Sequence, residues 1–294
     1  MTELNFHQLR IFSVVAQHKS FSRAARELKI SQPAVSAQVR QFEEDLGVVL
    51  IDRVKHSVDL TDAGRTVTNY AQRIFSIADQ LVESVESLRD LTHGRLVVGA
   101  SPTIAEYVLP PLFARFRRTH PGIELRMQVG PGRTILDCVL RNQLDMGFIG
   151  EEARARDVIV TPFAADDLVL IAAPGHPLAE ADSITRDQLT DLEFVLREEP
   201  SWVRRAVDRL FAQIDVTPRV TLELSTNGAV KQAVMANIGV SVLSHRASAL
   251  ELDTGRLVAL TAPDLEFQRA LNVVYHRDKQ LTGPERAFLD LVLA

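Results

Sequence analysis

Ser31, Gln32, Pro33, Ser36, Gln38 and Arg40 crowd into one short stretch. Hydroxyl, amide and guanidinium groups of this kind meet phosphate oxygens and the edges of bases. They lie within Ser20–Leu46, SFSRAARELKISQPAVSAQVRQFEEDL, together with Ser22 and Arg23. Ala24, Ala25 and Leu28 set an amphipathic first helix. Ser31 offers an N-cap hydroxyl, and Pro33 stands in a first turn where its missing N–H costs nothing. Ala34, Val35, Val39, Phe42 and Leu46 give the second helix a core face, which leaves the polar set on the outside. Two helices, a tight turn and a polar outer face predict a DNA-reading helix-turn-helix. Ordinary capping and a solvated helix face would account for the same residues one by one.

A second group of candidates follows from βα turns further along. Ser101, Pro102 and Thr103 follow the apolar strand Arg95–Ala100, and Gly132, Arg133 and Thr134 follow Ile123–Val129. Ile149 and Gly150 end a third strand. Arg197, Ser201, Thr226 and Asn227 hold equivalent places later, with Ser244 as a floor. Ligands of open α/β sheets bind beyond the carboxyl ends of the strands, near helix N-termini. Hydroxyls, amides and free N–H groups with two arginines suit a small anion. Taken singly, each Ser or Thr is equally explained as a helix cap.

The elements that must position these groups can be read from periodicity. Asn5–Gln17 is an amphipathic helix with Phe6, Leu9, Ile11, Phe12, Val15 and Ala16 as core, bracing the helix-turn-helix. Val48–Ile51 and Val58–Leu60 predict a hairpin whose tip carries Arg53, Lys55 and His56, the layout of a wing. Thr61 to about Leu91 reads as one helix. Val67, Tyr70, Ile74, Ile77, Leu81, Ser84, Leu88 and Leu91 alternate by threes and fours, a seam for a second copy. The period then changes to strand, helix, strand, implying βαβ units. A helix is expected over Ala105–Arg118, and separate strands over Val158–Pro162 and Leu168–Ala173. The pattern restarts near Phe194, so two α/β lobes are expected.

In order and spacing, Leu9-Arg10-Ile11-Phe12, Ser20–Ala25, Ser31–Ser36, Phe42-Glu43 and Leu60–Gly64 resemble the N-terminal domain of the LysR-type transcriptional regulators. The resemblance extends to all 294 residues. It implies a winged helix-turn-helix over 1–61 and a linker and dimerisation helix over 62–92. It further implies a two-lobed effector domain over 93–294 of periplasmic-binding-protein-like (type 2) α/β fold, with lobe I at 94–165 and 267–294 and lobe II at 166–266. Promoter DNA, a small-molecule effector and further copies of the chain are the implied partners, usually as a homotetramer, with RNA polymerase a further contact. Family recognition helices often carry Arg after the Ser that is Ser36 here, whereas this chain has Ala37. The run Gly94–Pro121 resembles the branch tied to sulfur assimilation or carbon fixation.

Bulk properties bound these readings. Net charge is −5, yet residues 1–61 carry eight Lys/Arg against seven Asp/Glu. A reader so nearly neutral needs a few placed contacts and several copies per assembly. No apolar run reaches membrane-spanning length and no signal-peptide core opens the chain, so a cytoplasmic protein without a membrane partner is expected. One cysteine, Cys138, excludes internal disulfides, and its place in a helix predicts a buried thiol. Gly99-Ala100-Ser101-Pro102-Thr103 lacks the closing glycine of a nucleophile elbow, and Gly130-x-Gly132 lacks the third glycine of a dinucleotide fingerprint. Eight scattered histidines offer no zinc spacing. No catalytic residue, metal site or cofactor is expected. The competing reading is a small-molecule binding protein whose N-terminal region only dimerises.

Overall fold

The computed structural model describes residues 4–52, 58–87, 94–150, 156–199, 201–265 and 267–294. Two compact units emerge, one formed by 1–83 with 141–143 and the other by 84–140 with 144–294.

Three helices open the first unit: α1 (Phe6–His18), α2 (Phe21–Leu28) and α3 (Gln32–Leu46). Each begins at a side-chain cap, from Asn5, Ser20 and Ser31 in turn. Each ends at a residue with positive φ: Lys19, Lys29 and Gly47. Leu9, Ile11, Phe12, Val15, Ala24, Ala25, Val35, Val39 and Phe42 fill the core, with the Phe12 and Phe42 rings 6.0 Å apart. Phe6, expected in that core, is 58% exposed because it sits at the outer start of α1.

Among the described residues, the two strands expected to flank the wing are two residues each. Strands β1 (Ile51–Asp52) and β2 (Asp59–Leu60) pair antiparallel, and Arg53, Lys55 and His56 lie outside the described residues. One carboxylate oxygen of Glu43 on α3 accepts the backbone N–H groups of Leu50 (2.8 Å) and Ile51 (3.0 Å), which fixes the strand to the helix. The Thr61 hydroxyl donates to the Val49 carbonyl (2.7 Å) and accepts the Gly64 N–H (2.9 Å). Gly64 is obligatory here: a Cβ would stand 2.1 Å from the Leu50 carbonyl oxygen.

Helix α4 (Asp62–Ser87) follows. Its expected single seam divides into two faces. Ala71 is fully buried, and Val67, Ile74 and Phe75 pack half-buried against the three-helix core. Tyr70, Ile77 and Leu81 are 55–67% exposed on the other face.

The second unit contains β3 (Gly94–Ala100), α5 (Pro102–Tyr107), α6 (Leu109–Thr119), β4 (Ile123–Val129), α7 (Gly132–Leu140) and β5 (Met146–Ile149). There follow β6 (Val158–Ala172), α8 (Arg186–Asp191), β7 (Glu193–Arg197), α9 (Trp202–Gln213), β8 (Arg219–Leu224), α10 (Asn227–Met235) and β9 (Ser241–Ser244). Last come α11 (His245–Asp253), β10 (Val258–Leu260), β11 (Phe267–His276) and α12 (Gly283–Leu293). Seven strands form one sheet in the order β10-β6-β11-β5-β3-β4, with β9 also on β6. β3 runs parallel to β4 and β5, whereas β11 runs antiparallel to β5 and β6. One apolar core gathers around β3, α6 and α12, and a separate one around β7, α9 and α10. These are the two expected lobes, and β6 and β11 serve both.

Three expectations are corrected. Helix 105–118 is broken at Val108, because Pro110 and Pro111 lack the N–H groups that would bond the Glu106 and Tyr107 carbonyls. The two strands expected over 158–173 are a single fifteen-residue strand, β6. Its register against β11 shifts between Leu271 and Asn272, leaving Phe163 without an opposite residue. Such a bulge accommodates Pro162 within a ladder. Helices α8 and α11 were not foreseen, although Thr185 and Gln188 form a capping box at the start of α8. Cys138 is only half-buried against the core beneath α7.

A buried ionic group ties lobe I together. Lys279 Nζ lies 2.6 Å from Asp145 and 3.1 Å from Glu285, and Asp145 also accepts the Val97 N–H at 2.7 Å. One cation thus stands between two carboxylates. Burial, opposed by Lys279 and aided by Asp145, pushes the Glu285 carboxyl up to about 7. The native state therefore holds a proton that the unfolded chain releases, so stability falls as pH rises from about 4.5 to 7 and levels off above. Glu285→Gln should flatten that slope, which is at most about 1.4 kcal/mol per pH unit, in urea unfolding followed by Trp202 fluorescence. For the first unit, Gly64→Ala should cost about 3 kcal/mol by overpacking. Far-UV circular dichroism should show an earlier transition, while the fluorescence of Trp202, in the other unit, keeps its midpoint.

Candidate functional site

In the first unit Ser22, Arg23, Ser31, Gln32, Pro33 and Arg40 are exposed, and Ser36 and Gln38 are half-buried. The Ser31 hydroxyl accepts the Ala34 N–H at 3.3 Å, so it caps α3 as its position predicts. Ala37 is exposed on the same helix. The outer face of α3 is therefore polar and open. Glu43, one of three acids that dilute the charge of this region, is turned inward onto β1.

In the second unit a cavity of about 230 Å³ opens between the lobes. Ser101, Pro102, Thr103, Pro131 and Gly132 line it from the carboxyl ends of β3 and β4. From the other lobe come Arg197, Glu198, Ser201, Trp202, Val203 and Ser225, with Arg269 from β11. Ser101 and Ser201 precede α5 and α9, but neither hydroxyl makes a capping bond. Their explanation as simple caps is thereby removed.

Arg197 dominates the electrostatics. Its side chain ends β7, only 8% of the residue is exposed, and it donates to Asn227 Oδ1 (2.6 Å) and the Ser225 carbonyl (2.7 Å). Its Nε is buried without a partner. No carboxylate among the described residues forms an ion pair with it. Burial accordingly pulls its pKa below the usual arginine value, with the nearby Glu106, Glu198 and Tyr107 acting the other way. Asn227 passes the contact across the cleft, donating from Nδ2 to Thr103 Oγ1 at 3.3 Å. Tyr107, packed beneath Lys231 Nζ at 5.5 Å, has its phenol pushed up to about 12 by burial and Glu106.

Arg269 is the opposite case. Its Nε and Nη2 donate to Asp166 Oδ2 at 2.8 and 2.5 Å, and the Ser244 hydroxyl donates to Asp166 Oδ1 at 2.6 Å. Gly150 makes room for this arginine, since a Cβ there would come within 2.8 Å of Nη1. The guanidinium lies over the Trp202 ring, 4.7 Å from its centroid.

Of the expected ligand residues, Ser101, Pro102, Thr103, Gly132, Arg197 and Ser201 line the cavity. Asn227 joins them through Arg197 and Thr103. Thr226 does not, because its hydroxyl caps α10 by accepting the Ala229 N–H at 3.1 Å. Ser244 is spent on Asp166, Ile149 is fully buried in the apolar core, and Thr134 is exposed outside the cavity. Arg133 and Gly150 line an adjoining cavity of about 600 Å³ with Trp202, Arg205, Arg209 and residues 267–270 and 272. Trp202, Arg205, Arg209 and Arg269 were missed. An arginine at the head of the largely apolar strand segment RALNVVY was the available signal for the last.

A two-lobed α/β ligand-binding unit joined to a helix-turn-helix unit is the architecture of a ligand-responsive regulator. Known families match on both counts. The LysR substrate binding domain matches residues 89–294, and the bacterial regulatory helix-turn-helix protein of the lysR family matches residues 6–65. The chain belongs to the LysR family of transcriptional regulators. It is 38% identical, over 99% of its length and 96% of the relative's, to the RuBisCO operon transcriptional regulator of Allochromatium vinosum. Among solved structures, full-length OxyR of Pseudomonas aeruginosa superposes with a TM-score of 0.74 at 23% identity, covering 100% of this chain and 94% of that one. The CcmR regulatory domain of Synechocystis, in complex with 2-PG, is 33% identical with a TM-score of 0.64, covering 68% of this chain and 96% of that one. No helix among the described residues is long and apolar enough to cross a membrane.

Proposed function

We propose that this chain is a cytoplasmic, effector-responsive regulator that binds promoter DNA through α3 and the wing and senses a small anion between its lobes. The observation that carries the effector reading is Arg197, a buried guanidinium that faces a cavity with one donor unused and no ion-paired carboxylate among the described residues. A buried cation without a counter-charge costs several kcal/mol. An anionic ligand removes that cost, so occupancy and closure of the lobes become linked. Hydroxyls of Ser101, Thr103 and Ser201 complete the set. The 33% identical CcmR domain holds a small ligand, 2-PG, and the Allochromatium relative is named for the RuBisCO operon, which favours a place in the carbon-fixation branch.

The reading extends to the domains and partners. Residues 1–61 read DNA, 62–92 link and dimerise, and 93–294 bind the effector. Exposed Tyr70, Ile77 and Leu81, at steps of seven and four on α4, give a second copy an apolar stripe to cover. Two dimers make a tetramer that places several weak readers on one promoter, and RNA polymerase is its downstream contact. Ser22, Arg23, Ser31, Gln32, Pro33, Ser36, Gln38 and Arg40 meet DNA from the helices, and Arg53 and Lys55 from the wing.

Asn227→Asp tests the cleft. It builds a carboxylate beside Arg197 in place of the amide oxygen at 2.6 Å. Affinity for inorganic phosphate and small carboxylates, measured by calorimetry, should fall about tenfold or more, the scale of one lost charge-assisted bond. Wild-type protein that binds no such anion, or a variant that binds it equally, refutes the reading. Gel shifts test the other end. Gln32→Ala should relax sequence preference at a cost of about 1–3 kcal/mol on the specific site, and Arg53→Ala should weaken all sequences alike and reduce the salt dependence. Absence of salt-sensitive, sequence-dependent binding by the intact chain would instead favour a ligand-binding protein whose N-terminal region only dimerises.

A further inference from the structure

We propose that the cleft has a second anion subsite, formed by Arg133 and Arg209 beside Arg205, and that its effector carries an anionic group at each of two ends. The inference rests on the proposed role of Arg197 and extends it. The cavity of about 600 Å³ shares Trp202 and Arg269 with the smaller one as lining residues. Four guanidiniums line it, and no carboxylate does so among the described residues. Arg269 is already matched by Asp166. Arg133 and Arg209 are exposed, and neither forms an ion pair with a described residue. Arg204, their neighbour on α9, is by contrast engaged by Asp208 and Glu223 and lies outside the cavity lining.

The helix sets the spacing. Trp202, Arg205 and Arg209 stand at i, i+3 and i+7, along one face of α9, and the Arg209 Nε donates to the Arg205 carbonyl at 3.2 Å. At 1.5 Å per residue Arg209 lies about 10 Å along the axis from Trp202, whose end of the helix borders the Arg197 cavity. Arg197 lines only the smaller cavity and Arg209 only the larger, so a single phosphate or carboxylate is not shared between them, whereas a molecule with two such groups joined by a short chain can engage both. Guanidinium forks hold phosphate and carboxylate in a bidentate manner, which favours these chemistries over a halide or a neutral ligand. The Trp202 ring lies between the subsites, with Arg269 at 4.7 Å and Arg209 at 6.0 Å from its centroid.

Trp202 is the only tryptophan of the chain, so intrinsic fluorescence reports on this cleft alone. The full-length protein should be titrated with methylphosphonate and with linear α,ω-alkane bisphosphonates of increasing chain length, with calorimetry in parallel. The best bisphosphonate should bind at least about tenfold more tightly than methylphosphonate, a gain of about 1.4 kcal/mol. In Arg133→Gln/Arg209→Gln, two exposed positions, that advantage should collapse to less than about threefold while the melting temperature is kept. Arg197→Gln should weaken both ligand classes. Equal affinity of mono- and bisphosphonates at every chain length, or an advantage that survives the double substitution, overturns the second subsite and leaves the Arg197 site standing. No binding of methylphosphonate by either measurement would remove the anion reading itself, and the second subsite with it.

Discussion

The antiparallel ladder between β6 and β11 is the constraint on which the second unit depends. It runs from Phe267↔Leu168 to His276↔Val158 and is the part of the sheet that both lobes share. Lobe I adds β5, β3 and β4 beyond β11, and lobe II adds β9 to the opposite edge of β6 and β10 to the end of β6 that runs past β11. Because the strands must cross from one core to the other, a cleft is left where the two cores face each other over the ladder. The same ladder delivers Asp166 and Arg269 opposite one another, in register, at the wall of that cleft. The bulge at Phe163 allows so long a strand to carry a proline without losing its pairing.

Against this frame the buried cations fall into two kinds. Lys231 has Glu251 at 2.8 Å and the Ala247 carbonyl at 2.7 Å, Lys279 has two carboxylates, and Arg269 has Asp166. Each is compensated inside the fold, as burial of charge requires. Arg197 alone among these has only an amide and a backbone carbonyl. Without an ion-pair partner among the described residues, Arg197 carries a burial cost that the proposed anion would relieve, and its contact through Asn227 reaches Thr103 on the opposite lobe. The compensated ions brace the walls, and Arg197 is the charge on which the proposed affinity of the cleft rests.

In the first unit the joint between reading helix and wing rests on few atoms. Glu43 clasps the start of β1, Thr61 ties α4 to Val49, and Gly64 lets the Leu50 carbonyl approach α4 closely. This gives a physical reason for the Phe42-Glu43 and Leu60–Gly64 motifs, which as sequence are only a pattern. It also turns the Glu43 carboxylate to backbone N–H groups and away from the outer face of α3, so its charge stands off that face. The charge count of residues 1–61 therefore understates how well the outer face of α3 suits a polyanion.

Local signals were sufficient for much of this. Caps at Ser20 and Ser31, apolar spacing along α1 to α3, and strand-to-helix changes after Gly94 act over one or two turns of chain, so the sequence by itself determined the elements, the two-lobed plan and the loops that bear Ser101, Thr103 and Arg197. Where it misled, the deciding contact was distant. Thr226 and Ser101 look alike as hydroxyls before a helix, yet one bonds Ala229 and the other makes no capping bond. Ser244 was consumed by Asp166, 78 residues away, and the α4 stripe was divided by the core that packs on one side of it. Trp202, Arg209 and Arg269 became neighbours only when α9 met β11. Tertiary structure alone decided which buried charge would be left uncompensated, because compensation depends on which carboxylates the fold brings within reach, and no spacing along the chain encodes that.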